Sequence, residues 1–318
     1  MPETVEIVLS IFGLIGIGYA AVRFGIVRPS VADALAEFVF VIAVPVLLFR
    51  TLATADFSGS SPWRLWGVYF VMMASTWIFA DRVTRRAFGF EARRGLVAGM
   101  SATYSNLVLI GIPLVDRALG EEGMIVVLLL VSIHTPLVMF VTVIANEWLV
   151  AHEGAERRPL DRAMLWTLAQ PLITNPLLIG VAAGAFWRIS GLPLSGAPAT
   201  VVDSLARVAG PIALFSVGAA LVNYGIGRQV RPAILLATLK LLLMPALVLA
   251  GALAVGLPPL TVEALTLLAA TPTGVNAYIV ASRFGTGQAL SSNTLLYSTA
   301  AGIATVGLWL VLLRIFVT

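Results

Sequence analysis

No Asp, Glu, Lys or Arg occurs in "GMIVVLLLVSIHTPLVMFVTVIAN", Gly123 to Asn146, and that block limits the folds open to the chain. A helix crosses about 30 Å of hydrocarbon with roughly 20 apolar residues. Comparable blocks recur along the sequence, near 5–24, 34–54, 63–83, 94–116, 123–146, 162–187, 200–222, 231–255, 262–282 and 293–316. Charged residues make up only 11% of the chain, against about a quarter in soluble domains. Barrel strands alternate apolar and polar residues over about 10 positions, and these blocks do not alternate. The pattern predicts an all-α membrane protein of ten transmembrane helices.

The connections are short. The longest polar one, "NEWLVAHEGAERRPLDR" (Asn146–Arg162), lies near the middle of the chain. Glu3 and Glu6 stand where a cleavable signal would carry basic residues. The absence of cysteine excludes a disulfide framework, a thiol nucleophile and a thiolate metal site. The net charge of +4 comes from arginines between apolar blocks, which argues against nucleic acid as a partner. Clusters such as Arg82, Arg85, Arg86, Arg93 and Arg94, or Arg157, Arg158 and Arg162, fall on one side of the ten-span topology. Only the isolated Arg50, Arg64, Arg117, Arg188 and Arg314 fall on the opposite side. Basic connections stay cytoplasmic, so both termini are expected outside.

An offset of 166 residues lays "IAVPVLLF" (Ile42–Phe49) on "VAGPIALF" (Val208–Phe215). The same offset matches Gly18 to Gly184, Gly25 to Gly191, Glu37 to Asp203 and Ser132 to Ser298. The unit contains five spans, an odd number, so two copies must enter the membrane in opposite directions. Inverted repeats of this kind are typical of secondary transporters, whose sites lie where broken helices meet near the midplane.

Both fourth spans contain helix breakers at depth. Span four has "SNLVLIGIPLV" (Ser105–Val115), with Asn106, Gly111 and Pro113; span nine has "ATPTGVNAYIV" (Ala270–Val280), with Pro272, Gly274 and Asn276. Proline cannot donate to the preceding turn and its ring crowds that carbonyl. Unpaired backbone at that depth survives only beside protein or a water-filled cavity. Facing breaks would offer helix N-termini and free N–H groups to an anion, with Asn106 and Asn276 adding amides.

"LIGIGYAAVRFGIV" (Leu14–Val27), "AVPVLLFRTL" (Ala43–Leu52), "SNLVLIGIPLV" and "KLLLMPALVLA" (Lys240–Ala250) resemble the auxin efflux carrier family. That family includes plant auxin exporters and bacterial carboxylate permeases, and this chain is similar to its compact bacterial members. The resemblance implies two inverted five-helix repeats, 1–150 and 162–318, joined by a cytoplasmic linker at 151–161. Scaffold helices would occupy 1–62 and 162–225 and form a homodimer. Transport helices would occupy 63–150 and 226–318 and move as an elevator, with helices four and nine crossing at the substrate. It also implies a small carboxylate as substrate and a multi-pass place in a bacterial inner membrane. Asn106, Gly111, Pro113, Pro272 and Gly274 match its crossing motifs; Asn276 rests on the residue argument alone.

Ionisable residues within spans are functional candidates because burial there is costly. Lys240, the only lysine, lies near mid-depth of span eight and is expected either to offset a substrate carboxylate or to join an ion pair. Asp81 and His134 are candidates for proton coupling, with an interfacial ion pair and a packing role as their plainer readings. Glu37 and Asp203 are expected to stabilise helix N-termini, with Arg207 one turn from Asp203 as a partner. "GMSA" (Gly99–Ala102) weakly resembles an intramembrane serine-protease motif with His134 as base, but that reading leaves the repeat unexplained. Two rival functions remain open. One is a sodium-coupled carrier resembling bile-acid symporters, with Thr271, Thr273 and Asn276 as ligands; the second is a sensor that binds without transporting. No cofactor or metal is expected.

Overall fold

The computed structural model describes residues 2–54, 62–152, 174–224 and 229–317. They form α1 (Pro2–Arg23), α2 (Pro29–Thr54), α3 (Pro62–Phe88), α4 (Ala92–Ser101) and α5 (Leu107–His152). After the central gap come α6 (Pro176–Ser190), α7 (Gly196–Leu221), α8 (Val230–Ala254), α9 (Pro259–Ala270), α10 (Asn276–Phe284) and α11 (Gln288–Phe316). Among the described residues six helices, α1, α2, α5, α7, α8 and α11, are long and apolar enough to cross a membrane. The chain is a multi-pass, all-helical membrane protein. Most of the linker expected at 151–161, the start of the expected span six, and Arg157, Arg158, Arg162 and Arg228 lie outside the described residues.

Two boundaries differ from the sequence expectation. Spans four and five are expected as separate helices with a short connection; α5 consists of two helices that meet directly at a kink at Gly120, where φ is 64° and ψ −157°. Glycine alone accepts that conformation without strain, so one residue takes the place of a loop. Span six is expected to be continuous from 162 to 187, but α6 starts at Pro176 with Asn175 as its N-cap. Proline at the first helical position lacks only an N–H that would have no partner there.

Three helices contain a π turn, at Val39–Ala43, Leu107–Gly111 and Leu239–Leu243, and each is followed two residues later by a proline: Pro45, Pro113 and Pro245. The residue before each proline donates five residues back: Val44 to Val39, Ile112 to Leu107 and Met244 to Leu239. The wider turn absorbs the clash and the missing donor that proline brings. Pro113 is expected from sequence to break span four. Instead it produces a π turn, and the break lies upstream, between Ser101 and Leu107.

Helices approach closely where glycines meet backbone. A Cβ on Gly18 would fall 2.1 Å from the Phe215 carbonyl oxygen, and one on Gly184 would fall 2.7 Å from that of Phe49. These are the residues that the 166-residue offset matches, so α1 packs on α7 through the same pair that joins α6 to α2. Gly218 sits tighter still, with Ile15 O 1.8 Å from a built Cβ. Small residues allow such contacts in lipid, where backbone packing replaces the hydrophobic drive. The polar ends are tied by ion pairs: Arg50 to Asp203 at 2.5 Å and to Glu121 at 3.1 Å, Arg314 to Glu3 at 2.6 Å, and Arg117 to Glu6. Asp203 lies past the first turn of α7, so its carboxylate serves Arg50 rather than the helix end. Arg207 bonds the Asp203 backbone carbonyl at 3.2 Å instead of the carboxylate.

Gly218→Val should push α1 off α7 and cost about 2 kcal/mol or more, because overpacking against backbone cannot relax by rotamer change. Thermal unfolding in detergent should show a clear drop for this variant. Gly13→Ala, with nothing within 4 Å of a built Cβ, should stay within about 0.5 kcal/mol of the parent.

Candidate functional site

The helix α4 ends at Ser101 and α9 at Ala270, and the extended residues that follow them meet. Ser105 and Thr273 form an isolated antiparallel bridge: Asn106 N–H donates to Pro272 O at 2.9 Å and Gly274 N–H to Tyr104 O at 2.8 Å. Side chains complete the joint. Thr273 Oγ1 donates to Ser101 O at 2.8 Å, Thr273 N–H donates to Ser298 Oγ at 3.0 Å, and Tyr69 OH donates to Ser105 Oγ at 3.0 Å. Gly274 is required here, since a Cβ would fall 2.8 Å from the Tyr104 ring. The two interrupted helices therefore meet at their breaks and are joined backbone to backbone.

Beyond the bridge, α5 and α10 begin, and their N-termini open on one cavity of about 250 Å³. Among the described residues the N–H groups of Val108, Val275 and Asn276 donate to no protein acceptor. The Asn106 Oδ1 accepts from Leu109 N–H at 3.3 Å, which leaves its Nδ2 group to the cavity. Asn276 Nδ2 donates to Tyr104 OH at 2.6 Å, and that hydroxyl pairs with Thr135 Oγ1 at 2.8 Å. Among the described residues no Asp, Glu, Lys or Arg lines the space. Positive helix ends with unpaired donors and no carboxylate make a surface suited to an anion.

The remaining sequence candidates fall at different distances from this cavity. His134 lines it, 1% exposed, packed on Tyr104 with ring centroids 4.8 Å apart, and its Nε2 has no hydrogen-bond partner. Lys240 is fully buried and does not line the cavity, its Nζ donating to Ala269 O at 2.5 Å at the carbonyl end of α9. Asp81 meets Arg85 at 3.8 Å, lies against Gly95 of α4 and does not line the cavity. Gly111 packs on Leu268 of α9 and Pro113 on Gly210 of α7, so both shape the crossing rather than the cavity wall. Ser101 Oγ pairs with Ser291 Oγ at 2.7 Å and makes no bond to His134, so the serine-protease constellation is not assembled.

A family model described as "Membrane transport protein" matches residues 4–310. The chain belongs to this family, the auxin efflux carriers that its motifs resemble. A Rhizobium meliloti (strain 1021) protein called "Putative malonate transporter" is 30% identical over 333 residues, covering 99% of this chain and 97% of that protein. An "Uncharacterized transporter" of Methanothermobacter thermautotrophicus is 26% identical over 316 residues, covering 97% of this chain and 98% of its own.

Sequence reasoning missed Tyr104, Thr135 and Asn175, all of which line this carrier's cavity. The Asn-Pro pair at 175–176 was the available signal, a cap followed by proline at a helix start, but it sat inside an apolar block. Tyr104 holds Asn276 and Thr135 with one hydroxyl. Tyr104→Phe should therefore weaken ligand binding about three- to tenfold, the loss of about one hydrogen bond, while leaving the unfolding temperature near that of the parent.

Proposed function

We propose that this family member is a secondary transporter of a small organic anion, with the carboxylate held where the broken helices cross. The observation that carries the reading is the pair of N-termini, of α5 and α10, opening beside their backbone bridge into a cavity that no Asp or Glu lines among the described residues. Asn106 and the amides of Val108, Val275 and Asn276 donate to the carboxylate. Gly111, Pro113, Pro272 and Gly274 hold the backbone that presents them. Lys240 contributes its charge from behind, through the carbonyl end of α9. The name of the Rhizobium relative makes malonate the first substrate to test.

The architecture we infer is two inverted five-helix repeats with 1–62 and 162–225 as scaffold and 63–150 and 226–318 as the moving elevator. The reciprocal packing of Gly18 on Phe215 and Gly184 on Phe49 supports it. So does the recurrence of left-handed glycines near the same offset, Gly25 with Gly191 and Gly89 with Gly256. The scaffold helices pair two copies in a bacterial cytoplasmic membrane, with both termini periplasmic. Arg50, Arg117 and Arg314, on the expected outer face, are each matched by an acid, which leaves the basic excess on the cytoplasmic side. His134, in the cavity wall, is the stronger candidate for proton coupling; Asp81 is engaged by Arg85 outside it. A sodium-coupled carrier is less favoured, because the ammonium of Lys240 lies beside the crossing. The reading is not enzymatic.

Purified protein in sealed liposomes should carry labelled malonate in a saturable way that unlabelled carboxylates suppress. Asn106→Ala should cut that flux at least about a hundredfold, since it removes both an oriented donor and the cap of α5. Wild-type flux in that variant would refute the crossing site. Lys240→Gln should raise the half-saturation concentration about tenfold, equivalent to about 1.4 kcal/mol; an unchanged value would reduce Lys240 to a cap on α9.

A further inference from the structure

A third helix starts at the same cavity. Asn175, the N-cap of α6, lines it, and so do Pro176 and Leu177. The Asn175 Oδ1 accepts from Leu177 N–H at 2.9 Å. With its oxygen committed to the helix, the carboxamide must turn its Nδ2 group away from α6, and that group has no protein acceptor among the described residues. The arrangement repeats that of Asn106 at the start of α5, from an element outside the crossing. The same cavity is lined by His134, 1% exposed, with an unpartnered Nε2. The cavity thus has donors at the crossing and at α6, each beside a positive helix N-terminus, and no Asp or Glu lines it among the described residues.

A monocarboxylate satisfies one such end and leaves its counterpart unpaired. A short dicarboxylate satisfies both, and donors that a bound ligand covers without pairing are costly. We propose that Asn175 is a specificity-determining residue that contacts the second carboxylate of a short dicarboxylate, so that the site selects such substrates over monocarboxylates of similar length. This rests on the transporter reading above and adds to it the class of substrate and the residue that reads it. By bridging the two ends, the substrate also links α6 to the crossing, so both ends must engage for full affinity.

The test compares malonate with propionate in liposomes containing the full-length protein, for the parent, Asn175→Ser, Asn175→Ala and Asn175→Asp. Serine keeps an oxygen to cap Leu177 N–H but loses the amide donor. The half-saturation ratio, malonate against propionate, should shift toward propionate about tenfold in Asn175→Ser, the cost of one charged hydrogen bond. Asn175→Asp should shift it further, since a carboxylate would face the substrate's own, while the unfolding temperature of Asn175→Ser stays close to that of the parent. Equal losses for both acids in Asn175→Ser and Asn175→Ala would make Asn175 a helix cap only and overturn the proposal. A parent protein that prefers propionate would overturn it too, while leaving the anion transporter intact. Absence of saturable flux for either acid in sealed vesicles would overturn the transporter reading itself.

Discussion

The structure depends on the backbone bridge between Tyr104–Asn106 and Pro272–Gly274. Inside a membrane each unpaired peptide group costs several kcal/mol, because no water is present to replace the lost partner. Interrupting two helices at depth exposes such groups in both. The two breaks solve this together: Asn106 N–H goes to Pro272 O and Gly274 N–H to Tyr104 O. Pro272, which has nothing to donate, is used as an acceptor only. Neither break is tolerable without its counterpart. The amides left over, those of Val108, Val275 and Asn276, are all at the beginnings of helices and all on the cavity side. Function is written into the groups that the bridge leaves unpaired.

Proline acts in two different ways along this chain. At 45, 113 and 245 it is preceded by a π turn, so the helix bulges and continues. At 272 it stands in extended backbone between two helices. The residues C-terminal to each proline make the difference. Pro113 lies at the start of residues that stay helical through Leu119, whereas Pro272 precedes Thr273 and Gly274, which find partners in Ser101, Ser298 and Tyr104. The π turn of α2 also places Phe40 in the cavity wall, so the bulge shapes the site as well as accommodating Pro45.

The membrane class, the pairing of two breakers at corresponding depths and the candidates Asn106 and Asn276 were legible from sequence, because each follows from residue type and the energetics of hydrocarbon. The location of the first break was not. Proline is the visible residue, but the extended segment is fixed by long-range partners, Tyr69, Pro272 and Thr273, that no local pattern reveals. Asn175 was hidden for a similar reason: its block is apolar on both sides, and only the neighbouring crossing gives a capped helix start there a meaning. Lys240 was conspicuous as the only lysine, yet its direction, toward the α9 carbonyls rather than into the cavity, depends on how α8 is rotated.

The two carbonyl ends at the crossing are finished differently, and this bears on the charge of the cargo. The end of α4 is met by a neutral hydroxyl, that of Thr273 on Ser101 O, while the end of α9 is met by the ammonium of Lys240 on Ala269 O. Lys240 is the one buried Asp, Glu, Lys or Arg among the described residues. A helix end carries roughly half a charge, so the carbonyls offset only part of the ammonium. On the proposed reading this leaves a positive balance at the crossing, added to the N-termini of α5 and α10. Bringing a cation there would place like charge on like in a medium of low dielectric, where Coulomb energies are several times those in water. The anion proposed as substrate would instead complete that charge balance, and it would do so where the unpaired amides are.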